Sequence, residues 1–409
     1  MSNLSEIQVN VKEFLTNVDI DFSLPLVETK FQIFMELCII YDIDGELNEE
    51  QLCLKYYLNN IVNDELSKLY TYNGNTEKVN NLKQLVLPDQ RTPEWYEMRK
   101  NKLTASSFAD ALGKSHYRSR DEAILGKIIE TPFEANPITE WGVKYEEVAT
   151  RFYEHLTGST IYEFGLIPHP DFPAFGASPD GICDVNSPPE YIGRMLEIKC
   201  PPKRKFTKSV LPNYMMQMQG QLEVCDLNEC DFLQVKLEEY LDYDDYKSDN
   251  NNTPNKYGFT NDDLPKGYTI TYLKPDNENK FHYLYCPLFS SNSQIDMWKE
   301  QQIKFLEENN FTMKEEKFWK ITRYECTLVK RDKTWWSNSV KDIYQFYKDL
   351  LYYKTDDNVE ILKQRVAEKN SKKKVYHVAD VIDDFCLISD EEDNSDNANS
   401  STENSNSSS

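Results

Sequence analysis

The chain has 409 residues, long enough to bury one large core or two ordinary ones, and its 26 Tyr and 20 Phe suit a folded protein. It shows neither a cleavable leader nor a long apolar run suited to a membrane span, so a soluble, intracellular protein without membrane partners is expected. A net charge of −23 argues against general affinity for nucleic acid, but the acids are localised: residues 1–90 carry −9, residues 238–263 carry −6 and residues 380–409 carry −9, which leaves the rest at about +1.

Nine cysteines form no C-x-x-C pair and five histidines form no H-E-x-x-H. Zinc patterns are therefore absent, and reduced, mostly buried thiols are expected.

Residues 1–90 show helical periodicity, with Leu4, Ile7, Val11 and Phe14, then Leu52, Tyr56, Leu58, Val62 and Leu66. They read as a helical N-terminal extension without a catalytic constellation. From Arg91 the text changes to R-T-P-E-W-Y-E-M-R-K-N-K-L-T-A-S-S-F-A-D-A-L-G. Trp95 and Met98 can pack one face of a short helix that Arg99 leaves, and Thr104 to Ser107 open the next helix, which Gly113 stops. Free amides and hydroxyls at a helix start, approached by Arg99, make a phosphate pocket. Plain N-capping by Thr104 or Ser106 beside a surface arginine explains the same residues structurally.

Residues 138–158 form an amphipathic helix with Tyr145, Val148, Ala149, Phe152 and Leu156 as its apolar stripe, ended by Gly158. Glu146 sits at the edge of that stripe, where a carboxylate needs a metal or a basic partner unless it is a rim residue.

Residues 177–199, A-S-P-D-G-I-C-D-V-N-S-P-P-E-Y-I-G-R-M-L-E-I-K, read as two short strands joined by a loop. Glu197 and Lys199, two apart in a strand, project to one face, and pairing of the strands brings Asp180 beside them. Two carboxylates able to hold a divalent metal, with an ammonium next to an activated water, equip a chain to hydrolyse a phosphodiester. Alone, the pattern is also that of an ordinary hairpin with an exposed Glu–Lys pair.

Lys203, Arg204, Lys205 and Lys208 follow in a basic loop suited to a DNA backbone, or simply solvated. A helix beginning near Pro212 carries Tyr214, Met218 and Leu222 on one face with Gln217 and Gln221 near it, and a strand spans residues 231–237. Residues 238–266 read as an acidic loop insertion. Strands at 268–273 and 282–285, a helix at 293–309, a long strand at 318–329 and a helix at 334–353 follow. The expected domains are the extension 1–90, a catalytic domain 91–355 with the insert at 238–266, and a basic helix or linker with an acidic tail at 356–409. Within that last segment the Lys372 to Lys374 run and the tail beyond Asp390 read as disordered.

The motifs W-x-x-x-R, T-A-S, G-x-x-x-E, S-P-D-G, L-E-I-K-C-P and Y-x-x-Q-x-Q, in this order over residues 91–237, closely resemble the phage lambda exonuclease-like (YqaJ-type) viral recombinase group of the PD-(D/E)XK nucleases. Composition and extensions resemble versions from large nucleocytoplasmic DNA viruses, the giant viruses, whose proteins would act in host cytoplasm or a viral factory. The resemblance implies an α/β, restriction-endonuclease-like core, a mixed central sheet flanked by helices. It implies that Asp180, Glu197 and the Ile198 carbonyl bind Mg²⁺, with Mn²⁺ substituting, and that Glu146 completes the acidic site. Lys199 would orient and activate the attacking water, Gln217 would position water or substrate, and Arg99 and Ser106 would hold a 5′-phosphate. It also implies a ring-shaped homotrimer around DNA, although the extensions depart from the compact pattern.

Next to a cation, Lys199 is expected to have a lowered pKa, and either to accept a proton or to hold hydroxide in line. The leading expectation is a Mg²⁺-dependent exonuclease acting on ends of linear duplex DNA, 5′ to 3′, in viral recombination, repair or replication. A structure-selective endonuclease on the same fold, and a non-catalytic DNA-end scaffold that recruits annealing or replication proteins, are the alternatives.

Overall fold

The computed structural model describes residues 4–376, apart from 44, 101, 130–135, 204–205, 207–208, 251–252, 254–255 and 276. Three helices open the chain: α1 (Leu4–Asn17), α2 (Leu26–Ile40) and the 35-residue α3 (Glu49–Lys83), which starts on a reciprocal Asn48–Gln51 cap. Ile7, Val11, Leu58, Val62 and Leu66 lie in their shared core with Ile33 and Leu37, as the periodicity predicts, whereas Leu4, Leu52 and Tyr56 of the same pattern are exposed. The far end of α3 belongs to the next unit. Val79 is buried in the main core, Lys83 pairs with Asp184 at 2.8 Å, and Asn75 donates to the Ile192 carbonyl at 3.1 Å.

Short elements follow: α4 (Pro93–Lys100), β1 (Leu103–Thr104), a 3₁₀ turn over Ala105–Ser107, α5 (Phe108–Ala111) and α6 (Arg120–Ile128). Then come α7 (Pro137–Thr157), β2 (Ile161–Tyr162), β3 (Ile167–Pro168), β4 (Phe175–Ala177), β5 (Gly181–Cys183), β6 (Met195–Lys199), α8 (Pro212–Val224) and β7 (Glu229–Glu239). α7 runs from Pro137, with Asn136 capping Thr139 N–H, to Gly158 at φ 69°, a left-handed stop that glycine adopts without a Cβ penalty. Strands β1, β4 and β3 make a small sheet.

The remaining strands, in the order β2-β5-β6-β7-β10-β8-β9, make a seven-stranded mixed sheet that includes β8 (Lys266–Lys274), β9 (Asn277–Tyr285) and the 19-residue β10 (Thr312–Lys330). β5 and β6 are antiparallel, while β6 and β7 are parallel and connected through α8. The succession α7, β2, β5, β6, α8, β7 makes a mixed sheet flanked by helices, the arrangement that the resemblance implies. α8 lies close against the chain after β1, because a Cβ at Gly220 would come within 2.5 Å of the Phe108 ring.

Two expectations are corrected. Residues 238–266 are not one loop: β7 runs to Glu239, and α9 (Tyr243–Ser248) starts on an Asp242 cap, with Tyr243 stacked on Phe318 at 4.8 Å. After α10 (Asn292–Glu308) and α11 (Lys333–Tyr353), α12 (Asp356–Tyr376) takes in Lys372 to Lys374, so that run is helical. The acidic segment 380–409 lies outside the described residues. Among the described residues no helix is long and apolar enough to cross a membrane.

Candidate active site

Register places the acids. Gly181 pairs with Leu196 across the antiparallel β5–β6 ladder, so Asp180 and Glu197 stand opposite each other one step further along. Glycine is required next to Asp180, because a Cβ at Gly181 would lie 2.3 Å from Ile161 on the neighbouring strand. Asp180 Oδ2 accepts the Ile198 N–H at 2.6 Å, which fixes it over β6.

Glu197 is wholly buried. Its Oε1 accepts from Lys199 Nζ and, at 2.7 Å, from Gln217 Nε2, and its Oε2 accepts from Gln221 Nε2 at 2.8 Å. Two glutamines one turn apart on α8 therefore hold both carboxylate oxygens. Gln217 and Gln221 come together as their place on the helix predicts.

Burial works against the Lys199 ammonium, but the Glu197 and Asp180 carboxylates outweigh it and raise its pKa in the chain alone; the lowered value is expected beside a bound cation. Asp180 lies well above the usual carboxylate range, through burial first and then the charges of Glu197 and Glu146. Glu146 is thus close enough to be felt at Asp180, but its own carboxylate is taken: Arg91 Nη2 donates to Glu146 Oε1 at 2.6 Å. A cleft of about 660 Å³ opens beside Asp180, lined by Arg91, Glu146, Glu147, Glu163 and Lys280 among others.

The donor set suits a hard divalent cation. Asp180 Oδ1 has no hydrogen-bond partner among the described residues, Gln221 Oε1 is buried without one, and the Ile198 peptide adjoins both acids. Among the described residues no three acidic, histidine or cysteine side chains make a complete cage. Burial pushes the neighbouring Cys200 thiol above its ordinary value.

A second group of residues lies around α4, β1 and α6. The Arg99 guanidinium stacks 4.3 Å from the Trp95 ring centroid, and Trp95 Nε1 donates to Ser178 Oγ at 3.2 Å. Ser106 is exposed, and its hydroxyl meets that of Thr104 at 3.1 Å; neither side chain caps the following turn. The capping explanation of these hydroxyls is thereby removed. Arg99 has no acidic partner among the described residues, and burial lowers its pKa. Lys127 of α6 is near enough to feel it: burial, then Arg99 and Arg118, bring the Lys127 ammonium down to about 8. Lys203 is exposed on the loop after β6, while Arg204, Lys205 and Lys208 lie outside the described residues.

Sequence reasoning missed Arg91 and Lys127. Arg91 sits at φ 64°, a conformation uncommon for a long side chain, which a sequence does not announce. Lys127 follows a glycine in a short helix whose apolar pattern is too brief to assign its faces.

Residues 94–228 match the YqaJ-like viral recombinase domain family, a span that contains Arg99, Ser106, Lys127, Glu146, Asp180, Glu197, Lys199 and Gln217. Over this span the chain is similar to the YqaJ-like viral recombinase domain. An uncharacterized protein of Acanthamoeba polyphaga mimivirus is 29% identical over 338 residues, covering 75% of this chain and 61% of that protein. A protein of African swine fever virus is 26% identical over 162 residues, covering 33% of this chain and 46% of that one. The chain thus spans less than two thirds of the length of these relatives. Among solved structures, an alkaline exonuclease from Laribacter hongkongensis shares 22% identity over 68% of this chain and 99% of its own, with a TM-score of 0.38. A phage-related exonuclease from Haemophilus somnus shares 14% over 66% and 96%, with a TM-score of 0.31. Arg91 stands just before the matched span, and β7 to β10 follow it.

Proposed function

We propose that the chain is a divalent-metal-dependent deoxyribonuclease that digests linear duplex DNA from 5′ ends. The observation that carries this reading is the register of β5 on β6, which sets Asp180 opposite Glu197 with Lys199 on the same face. Asp180, Glu197 and the Ile198 carbonyl would hold Mg²⁺, or Mn²⁺ in its place. A cation there supplies positive charge for the phosphate oxygens and acidity for a water.

The residues of the chain supply the geometry. Gln217 and Gln221 stop Glu197 from turning, and the Ile198 N–H does the same for Asp180. Lys199, bonded to Glu197 Oε1, orients and activates the nucleophile and offsets charge at the attacked phosphate. Arg99, Ser106 and Lys127 form the 5′-phosphate pocket, with Trp95 as the floor under Arg99 and a tie to Ser178, the residue two before Asp180. An end gripped there lies along the same chain segment that carries the catalytic acid.

Linear duplex and covalently closed circular DNA, incubated with the protein and Mg²⁺, test this directly. Linear DNA should be consumed and circles spared. Nicking or linearisation of circles would instead support a structure-selective endonuclease, and binding of ends without digestion a scaffold. Asp180→Asn, Glu197→Gln and Lys199→Ala should each lower turnover by about 10² or more while the melting temperature stays near that of the parent. Unchanged turnover in any two of these variants would place the chemistry elsewhere.

A further inference from the structure

Arg91 is held by three attachments that fix it against the candidate active site. Its guanidinium is 2.6 Å from Glu146 Oε1. Its carbonyl accepts from Lys280 Nζ on β9 at 3.2 Å. The preceding residue, Gln90, donates to the carbonyls of Phe164, at 2.8 Å, and Pro179, at 3.1 Å, and Pro179 directly precedes Asp180. The turn that carries Arg91 is therefore stitched to the strand entry that carries the catalytic acid. At φ 64° the arginine occupies backbone space that costs an L-residue of its size, so the local fold maintains a strained position in order to place this cation.

Its setting is acidic. Glu146, Glu147, Glu163 and Asp180 line the same cleft, and Arg91 is the cation that answers Glu146 within it. Burial works against the guanidinium, yet Glu146, then Asp180 and Glu163, raise its pKa. A carboxylate already hydrogen-bonded to a guanidinium has much of its charge answered, and a divalent ion can take it only by breaking that pair.

We propose that Arg91 is a built-in counter-cation that occupies Glu146 and restricts the site to one divalent ion, held by Asp180 and Glu197. The inference rests on the metal-nuclease reading and adds to it the ion count and the residue that sets it. Phosphodiesterases that use two ions need a carboxylate on each side of the attacked phosphate. Here the side facing Glu146 is supplied by a guanidinium, a fixed charge that does not exchange with solvent metal.

Mn²⁺ binding to the full chain without DNA, followed by calorimetry and by loss of the free-ion paramagnetic resonance signal, tests this without reference to turnover. The unmodified protein should bind one Mn²⁺ per chain. Arg91→Gly, which removes the cation and suits the left-handed backbone, should bind two, and Arg91→Gly combined with Glu146→Gln should return to one. Arg91→Lys, which keeps a charge in place, should stay at one or bind the second ion at least ten-fold more weakly than the glycine variant. Two ions in the unmodified protein, or one in Arg91→Gly, overturns the proposal while leaving the nuclease reading intact. Absence of Mn²⁺ binding in the unmodified protein and in Arg91→Gly overturns both, and Asp180→Asn serves as the control that should lose the first ion.

Discussion

Lys127 occupies a position that the fold would be better off without. Its ammonium is half-buried, repelled by Arg99 and Arg118, and brought down to about 8 from an ordinary 10.5. Lys127→Met should therefore raise stability at pH 7, by about 1–3 kcal/mol on the scale of 1.4 kcal/mol per pKa unit, while removing the preference for 5′-phosphorylated over 5′-hydroxyl duplex. The pH dependence has a definite sign. Below about 8 the lysine is charged in both folded and unfolded chains and the full cost of burial is present. Between about 8 and 10.5 the folded chain releases its proton first, so the cost fades with rising pH and the advantage of Lys127→Met shrinks with it. The ratio of kcat/KM for phosphorylated and unphosphorylated ends should fall across the same rise, since only the ammonium attracts phosphate. A flat ratio from pH 7 to 9.5 would remove Lys127 from the pocket. Asp180, Glu197, Lys199 and Gln217 were legible at this scale because period-two and period-3.6 spacing fixes which side chains share a face. Arg91 was not, because its place depends on a positive φ and on Lys280, 189 residues away.

Among the elements, α12 does more than its composition suggests. Its Leu362 is fully buried in the main core, and its Arg365 and Lys369 both donate to Asp121, a buried carboxylate in the first turn of α6, the second at 2.7 Å. Burial alone would raise Asp121, but these two hydrogen bonds outweigh it and hold its pKa low. Removing both cations with Arg365→Leu and Lys369→Met should cost about 1–3 kcal/mol, less than a fully buried pair because both cations reach solvent, read from denaturant or thermal unfolding. Because Asp121 is stabilised as the anion, this contribution is present above its ordinary value of 3.8 and is lost as acid takes the pH down through the lowered folded value. A cost below about 0.5 kcal/mol would mean that the pair is a surface ornament. The helices 137–157 and 333–353 were legible nearly to their ends, since each buries a continuous apolar stripe. The order in residues 238–266 was not legible: its Asp- and Asn-rich text is that of a loop, and what organises it is Tyr240, Tyr243 and Tyr246 gathered around Phe318 from a distant strand.

Across the whole molecule the charge is segregated. The segments at 1–90, 238–263 and 380–409 hold the negative excess, while Arg99, Lys127 and Lys203 belong to a region near neutrality. On the proposed function a duplex approaching the cleft would meet that region against a repelling background, and the repulsion would reach only about 8–10 Å at ordinary salt. Deleting residues 380–409, which removes nine acids and no base, should tighten non-specific duplex binding at 25–50 mM salt. The difference should vanish by a few hundred millimolar, with turnover per bound end unchanged. Filter binding at several salt concentrations measures it, and loss of intrinsic nuclease activity in the truncated chain would show that the segment belongs to the fold.

The tie between Asp121 and α12 also bears on the order of synthesis. The two ends of this contact are separated by 244 and 248 residues, so α6, and with it Lys127, lacks its anchor for most of the time the chain is being translated. The hairpin carrying Asp180 and Glu197 is complete far earlier, and α8 follows within two dozen residues. On a ribosome the Asp180–Glu197 hairpin can pair while α6 still waits for residue 369 to emerge. A nascent chain therefore passes through a long interval in which this pair of carboxylates is placed while the tie from Asp121 to α12 is still missing.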